Sequence, residues 1–263
     1  MDVELFEKII QQVQPLTDQV CLHLMGDPLV HPKLKEFVAI CEKYQTPIFL
    51  VSNGVLLKEQ TMELLLHPIF RQLNFSLHSF FDNFPAKNPD AYLAKIFDLT
   101  DRAFIERPDL YINYRLWNLD DVRGSNTDNT TMLEKIVHYY GIHNYGTMDL
   151  NPTDVRKQKS IHLKNRLYIH YDTEFIWPDL ALPKLSESGT CYGLTNHFGI
   201  LADGTVVPCC LDKEGKIPLG HVNESKIVDI LESEKALQIL NGFKKNKLTN
   251  PLCQRCNYVE RFA

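Results

Sequence analysis

Residues 47–66, PIFLVSNGVLLKEQTMELLL, hold the reading that decides the fold. Pro47–Ser52 is a short apolar run, Asn53-Gly54 is a strong turn signal, and Lys58–Leu66 returns apolar residues at helical spacing. The same strand–turn–helix unit recurs on both sides. Upstream, Asp2 caps a helix in which Val3, Phe6, Ile9, Ile10 and Val13 share one face. Gln19–Met25 then reads as a strand ending in Gly26-Asp27-Pro28, and Pro32–Tyr44 as a helix. Downstream, Gln72–His78 and Leu110–Trp117 read as strands. Between them Asn88 and Pro89 open a helix carrying Tyr92, Leu93, Ile96, Phe97 and Phe104. Thr130–Tyr140 is a further helix and Gly146–Asn151 a further short strand.

Strands alternating with helices predict βαβ units and a parallel sheet, either part of a (β/α) barrel or an open α/β sheet. In both, ligands sit at the carboxyl ends of the strands. Those ends are Gly26-Asp27-Pro28, Ser52-Asn53-Gly54, Ser76-Leu77-His78 and Arg115-Leu116-Trp117.

The pattern changes after residue 151. Residues 152–189 show no clear period and read as a connector. Phe198–Ala202 and Thr205–Pro208 flank Asp203-Gly204, a hairpin turn. One helix is expected from Lys226 to Phe243, capped by Asn223 or Ser225. Three segments follow: residues 1–151, 152–189 and 190–263.

Bulk composition narrows the function. With 263 residues, 44% of them hydrophobic, and a net charge of −5, the chain reads as globular and is a poor nucleic-acid binder. No apolar run approaches the ~20 residues that span a bilayer, which argues against a membrane partner. The opening MDVELFEKII is acidic and amphipathic, unlike a signal peptide, and a cytoplasmic location is expected. There, seven cysteines are thiols or metal ligands rather than disulfides.

Four of these cysteines carry a pattern. Twelve residues separate Cys191 from Gly204, four more separate Gly204 from Cys209, and Cys253 and Cys256 close the chain as a C-x2-C pair. Four thiolates suit zinc or a [4Fe–4S] cluster. Cys210, beside Cys209, competes for the same role. Cys21 and Cys41, in a strand and a helix, read as core.

The spacing resembles the Twitch domain, the short form of the SPASM domain found C-terminal to radical SAM enzymes. Gly204-Thr-Val-Val-Pro-Cys-Cys-Leu-Asp212 and Pro218-Leu-Gly-His-Val222 agree with it. The resemblance implies one auxiliary [4Fe–4S] cluster held by Cys191, Cys209, Cys253 and Cys256, used for electron transfer. The first half is similar to a radical SAM barrel. His23-Leu-Met-Gly26-Asp27-Pro28 resembles the "GGEP" strand end, although Met25 and Asp27 depart from it. This implies that Gly26, Asp27 and Pro28 contact the amino group of S-adenosylmethionine. Phe49–Gly54 resembles the strand end "TNG", with Asn53 in the motif, and Ser76 lies in a strand similar to one whose serine is near the cofactor. His78 stands where that strand usually has aspartate. Arg115 is placed to bind the cofactor carboxylate or a substrate anion.

The resemblance implies a mixed α/β fold: a partial radical SAM (β/α) barrel of TIM type lacking its first strand, then a small α+β cysteine-rich domain. It also implies an oxidoreductase that cleaves S-adenosylmethionine and modifies a peptide or small-molecule substrate, served by a reductase or electron-transfer protein. The sequence holds no C-x3-C-x2-C loop, which this chemistry needs. An N-terminal truncation is therefore expected, with an exposed sheet edge. The alternative is a catalytically inactive variant acting as a binding protein around a structural zinc or iron–sulfur site. As it stands the chain is not expected to cleave S-adenosylmethionine, and no catalytic residue is named. The remaining reading is a zinc-stabilised α/β module unrelated to radical chemistry.

Overall fold

A computed structural model describes residues 1–85, 87–119, 127–142, 159–174 and 176–262. The strand expected at Gly146–Asn151 lies outside the described residues. The chain divides into two compact units: Met1–Asp18, Leu24–Gly26 and Phe175–Ala263 form one, and Gln19–His23 with Asp27–Glu174 form the other.

The larger unit is a six-stranded sheet: β1 (Val20–Cys21), β2 (Ile48–Ser52), β3 (Phe70–Ser76), β4 (Tyr111–Leu119), β5 (Ser160–Lys164) and β6 (Leu167–Thr173). Its order is β1-β2-β3-β4-β6-β5. Every neighbouring pair is parallel except β5 with β6. The helices are α2 (Leu34–Lys43), α3 (Glu59–Leu65), α4 (Ser79–Asn83), α5 (Asp90–Glu106) and α6 (Thr127–Tyr139).

Alternation splits the strands between two environments. Ile48 and Leu50, Leu73 and Phe75, Ile112, Tyr114 and Leu116, and Leu167, Ile169 and Tyr171 are all buried. Each such side chain contributes roughly 1.5–3 kcal/mol by leaving water. Helix α5 packs behind this face, where Thr100 Oγ1 and Tyr114 hydroxyl meet at 2.8 Å and the Phe97 and Tyr114 rings lie 6.2 Å apart. Gly54, at φ +73°, ends β2, and a Cβ there would strike Ile96 Cδ1 at 2.9 Å. The opposite face carries Cys21, Gln72, Asn74, Ser76, Asn113, Arg115, Tyr168 and His170, placed by register.

The smaller unit holds α1 (Val3–Val13), β7 (Gly199–Ile200), β8 (Thr205–Val207), β9 (Gly220–His221), α7 (Ile227–Leu231) and α8 (Glu234–Lys244). Strands β7, β8 and β9 form an antiparallel sheet. The hairpin turns at Gly204, whose φ of +100° and 2.9 Å approach to Val222 Cγ2 exclude a side chain.

Three expectations change. Residues 152–189 are not a plain connector: Ser160–Lys164 and Leu167–Thr173 are strands of the sheet, where Leu167, Ile169 and Tyr171 bury one face. The first helix is capped by Asp2 as expected, with Leu5 N donating at 2.7 Å. It groups with the C-terminal residues rather than with the sheet: Gln12 Oε1 accepts from Ile227 N at 2.9 Å, and Lys8 Nζ donates to Asn223 Oδ1 at 3.0 Å. The single helix expected over Lys226–Phe243 is two, because Ser233 caps α8 by accepting from Ala236 N. Gln12, not Asn223 or Ser225, serves the first turn of α7.

Candidate functional site

The cysteines come together through the hairpin. Gly193 N donates to Cys191 Sγ at 3.4 Å, and Leu194 N donates to Pro208 O at 3.2 Å, which pins the Cys191 loop to the strand end bearing Cys209. A Cβ on Gly193 would lie 3.5 Å from Cys209 Cβ and 3.8 Å from Cys191 Sγ, so the two cysteines flank that glycine. Cys253 opens a 3-10 turn that Cys256 closes, Cys256 N donating to Cys253 O at 3.3 Å. Burial pushes the Cys209 thiol up to about 12 and raises Cys191, Cys253 and Cys256 as well. After burial, the neighbours that raise Cys253 are Cys209, Cys256, Cys191 and Asp212, which puts all four cysteines in one neighbourhood. Among the described residues no three His, Cys, Asp or Glu side chains form a group that could hold a single metal ion.

The other cysteines separate. Cys210 is exposed and Cys209 half-buried. Cys41 is core, its thiol pushed up to about 12 by burial. Cys21 is exposed, contrary to expectation, because β1 is a two-residue edge strand that turns it to the polar face. Asp212 was not singled out in the sequence. It is 1% exposed and accepts from Lys216 N at 2.7 Å and Ile217 N at 2.8 Å. Its position two residues after Cys210 was the available signal.

On the sheet unit, the Asp27 carboxylate ties two strand ends together. Its Oδ1 accepts from Leu29 N at 2.9 Å, and its Oδ2 accepts from Ser52 Oγ at 2.8 Å and Asn53 N at 2.7 Å. Ser52 Oγ accepts in turn from Gly54 N at 2.9 Å. Asn53 Oδ1 accepts from Val55 N at 3.0 Å, and Tyr92 hydroxyl donates to Asn53 O at 2.7 Å. Asp27 and Asn53 thus build the turn as well as face it. Pro28 is buried at the start of a 3-10 turn, and Gly26 sits at φ +92°. Ser52 and Tyr92 complete this network and were not named as site residues.

Ser76 and Arg115 are partners in register, and Arg115 pairs with His170 on the next strand. The Arg115 guanidinium lies 4.2 Å from the Trp117 ring centroid and 5.7 Å from that of Phe49. The His23 ring lies 6.0 Å from Phe49. Burial, then the Arg115 charge, lowers His23 to about 4. Burial also lowers His78 and His170; the Arg115 charge adds to the effect at His170, whereas at His78 the hydrogen bond to the Arg115 carbonyl opposes it. His78 Nδ1 meets Arg115 O at 3.1 Å and Trp117 N at 3.3 Å, which fixes the ring but not its tautomer. Below them Asn74 Oδ1 accepts from Gln72 Nε2 at 3.0 Å and Asn113 Nδ2 at 2.9 Å.

Residues 191–257 match the SPASM family, described as an iron–sulfur cluster-binding domain. Over nearly its whole length the chain has the same fold as solved structures of BtrN and SuiB. BtrN in complex with AdoMet and 2-DOIA aligns with a TM-score of 0.58 at 18% identity, over 98% of this chain and 80% of BtrN. Streptococcus suis SuiB bound to precursor peptide SuiA aligns with a TM-score of 0.57 at 13% identity, over 99% of this chain and 64% of SuiB. Native anSMEcpe with bound AdoMet and Cp18Cys peptide gives a TM-score of 0.52 at 14% identity, over 97% of this chain and 81% of its own. Curated proteins give no match to the sequence. The SPASM match begins at Cys191 and includes Cys209, Cys253 and Cys256. Among the described residues no helix is long and apolar enough to cross a membrane.

Proposed function

We propose that this radical SAM–SPASM protein holds one auxiliary [4Fe–4S] cluster on Cys191, Cys209, Cys253 and Cys256, and binds S-adenosylmethionine and a substrate on the polar face of its sheet. The observation that carries the first part is the convergence of four thiols, three half-buried and Cys256 buried, in one neighbourhood of the smaller unit. Burial keeps them protonated without a cation, and a thiophilic metal supplies the charge that deprotonates them. A single zinc would ask for sulfurs about 3.8 Å apart, from its tetrahedral ~2.3 Å bonds. A cluster presents four separate irons, each taking one thiolate, and the SPASM match over residues 191–257 favours iron–sulfur over zinc. The exposure of Cys210 favours Cys209 as the ligand.

On the sheet unit, Asp27 and Pro28 shape the first strand end and Asn53 the second, with Ser76 and Arg115 on the next strands. Reduced by one electron, S-adenosylmethionine supplies the hydrogen-abstracting radical in this chemistry. The chain's own residues position: Asp27 accepts an amino group while locking two loops, and Arg115 takes an anion. SuiB and anSMEcpe were solved with peptides, which favours a peptide substrate, with a reductase or electron-transfer protein as partner.

Oxygen-free purification, followed by measurement of iron, acid-labile sulfide and zinc per chain, tests the reading. About four irons and four sulfides are expected, lost in Cys253→Ala. One zinc without sulfide overturns the cluster.

A further inference from the structure

We infer that the exposed apolar side chains of Ile176, Leu180, Leu185 and Tyr192, with the basic run of residues 244–247 beside them, form a docking surface for an acidic one-electron carrier protein. The inference rests on the proposed cluster and deepens it, naming the face through which that cluster exchanges electrons and the charge of the partner.

The four side chains are between 47% and 62% exposed, although each would gain by leaving water. Exposed apolar residues scattered singly are ordinary, whereas a group of them marks an interaction site. Here one short turn of chain holds them together. Ile176 N donates to Asn257 Oδ1 at 3.4 Å, Leu185 N to Gln254 O at 2.8 Å, and Arg255 Nε to Leu182 O at 2.8 Å. The strap 176–185 is thus tied at three points to residues 254–257, which follow Cys253 and include Cys256. Tyr192 comes directly after Cys191. The patch is built on the backbone that bears three of the four proposed ligands, so a protein seated on it comes close to the cluster.

Charge selects the partner. Ser188 and Lys247 form an antiparallel bridge, Gly189 N donates to Asn246 O at 3.1 Å, and Leu248 N donates to Glu187 O at 2.8 Å, which lays the basic run alongside the strap. Lys244, Lys245 and Lys247 are exposed. At the other end of the strap, Lys213 Nζ lies 5.0 Å over the Trp177 ring. Residues 176–192 and 244–261 hold six Lys and Arg against three Asp and Glu, in a chain whose net charge is −5. Of those three acids, Asp179 accepts from Ala181 N and Glu187 is paired with Lys184. A basic rim around an apolar centre attracts and orients an acidic protein and repels a basic one. A second copy of this chain would set its own basic run against this one across a two-fold contact. Four side chains also fall short of the ~800 Å² that each partner buries in a stable complex, and fit the smaller contacts of transient electron transfer. Such an encounter passes one electron with no bond made or broken: the cluster loses what the carrier gains, or the reverse.

The test uses the full chain, an acidic plant-type [2Fe–2S] ferredoxin as probe and basic cytochrome c as the control for charge, with binding followed by biolayer interferometry under nitrogen. Ferredoxin should bind and cytochrome c should not, and ferredoxin binding should weaken steeply from about 50 to about 300 mM salt. The double variant Lys245→Glu/Lys247→Glu should slow association on the order of tenfold. Leu180→Ser/Leu185→Ser should speed dissociation on the order of tenfold. Circular dichroism and iron content verify that both variants keep their fold. Unchanged rates in both folded variants overturn the surface, as does preference for cytochrome c or absence of ferredoxin binding to the parent. A dimer of the parent in sedimentation velocity, lost in Leu180→Ser/Leu185→Ser, assigns the patch to a second copy and overturns the carrier. Iron and sulfide content of the same preparations reports the cluster independently. Full content without docking counts against the surface alone, and salt-sensitive docking with one zinc and no sulfide counts against the cluster alone.

Discussion

Asp27 and Ser52 are joined by a 2.8 Å hydrogen bond from Ser52 Oγ to Asp27 Oδ2, and the same oxygen accepts Asn53 N at 2.7 Å. A residue after β1 thereby fixes the loop after β2. Asp27→Ala leaves these donors without their acceptor, and a loss of about 2 kcal/mol is expected. Ser52→Ala removes one bond and should cost about 1 kcal/mol. Urea denaturation of the two single variants and the double variant measures the coupling. Additive losses would show that the bond does not hold the loops together.

Gln12 and Ile227 are 215 residues apart, yet Gln12 Oε1 takes the first free N–H of α7. Gln12→Ala should destabilise the C-terminal unit by about 1 kcal/mol, in the range of a lost cap. Hydrogen exchange at Ile227 should accelerate, while amides of β3 and β4 keep their protection.

The cysteines divide by substitution. Cys191→Ala, Cys209→Ala, Cys253→Ala and Cys256→Ala should each abolish or sharply reduce the iron retained after anaerobic gel filtration. Cys210→Ala should retain it, because that side chain is exposed. Iron lost in Cys210→Ala and kept in Cys209→Ala reverses the assignment.

His23 makes stability depend on pH. Its folded pKa, about 4, lies below the ordinary 6.5, so the unfolded chain binds the extra proton between those values. The stabilisation is complete above pH 6.5 and fades as pH falls toward 4. The full shift corresponds to at most about 3 kcal/mol, less for partial exposure. Urea midpoints measured from pH 7.5 to 4.5 should fall less steeply in His23→Gln than in the parent. His78 and His170 act in the same direction, so the variant keeps some slope.

With no C-x3-C-x2-C loop in its sequence, the chain is expected to leave S-adenosylmethionine intact after cluster reconstitution and reduction by dithionite. Release of 5′-deoxyadenosine, measured by chromatography, would falsify this.

Much of this was legible in the residues. Alternation and turn signals gave α1, α2, β2, α3 and the hairpin at Gly204 close to their observed limits, because each is settled by local spacing, with Gly54 after β2 and Gly204 at the hairpin as the turn signals. The cysteine spacing pointed to the SPASM domain, since the run from Cys191 through Gly204 to Cys209 and the closing Cys253/Cys256 pair are each read from local sequence. Tertiary structure decided what spacing does not encode. Helix α1 joins the C-terminal unit, where Gln12 and Lys8 find partners that no local pattern records. Strands β5 and β6 escaped notice because Ser160–Thr173 mixes polar and aromatic residues, and only the neighbour β4 makes one of its faces interior. The clustering of His23, Arg115 and Trp117 likewise depends on parallel register across β1, β2 and β4, since residues far apart in sequence meet only where backbone hydrogen bonds align their strands.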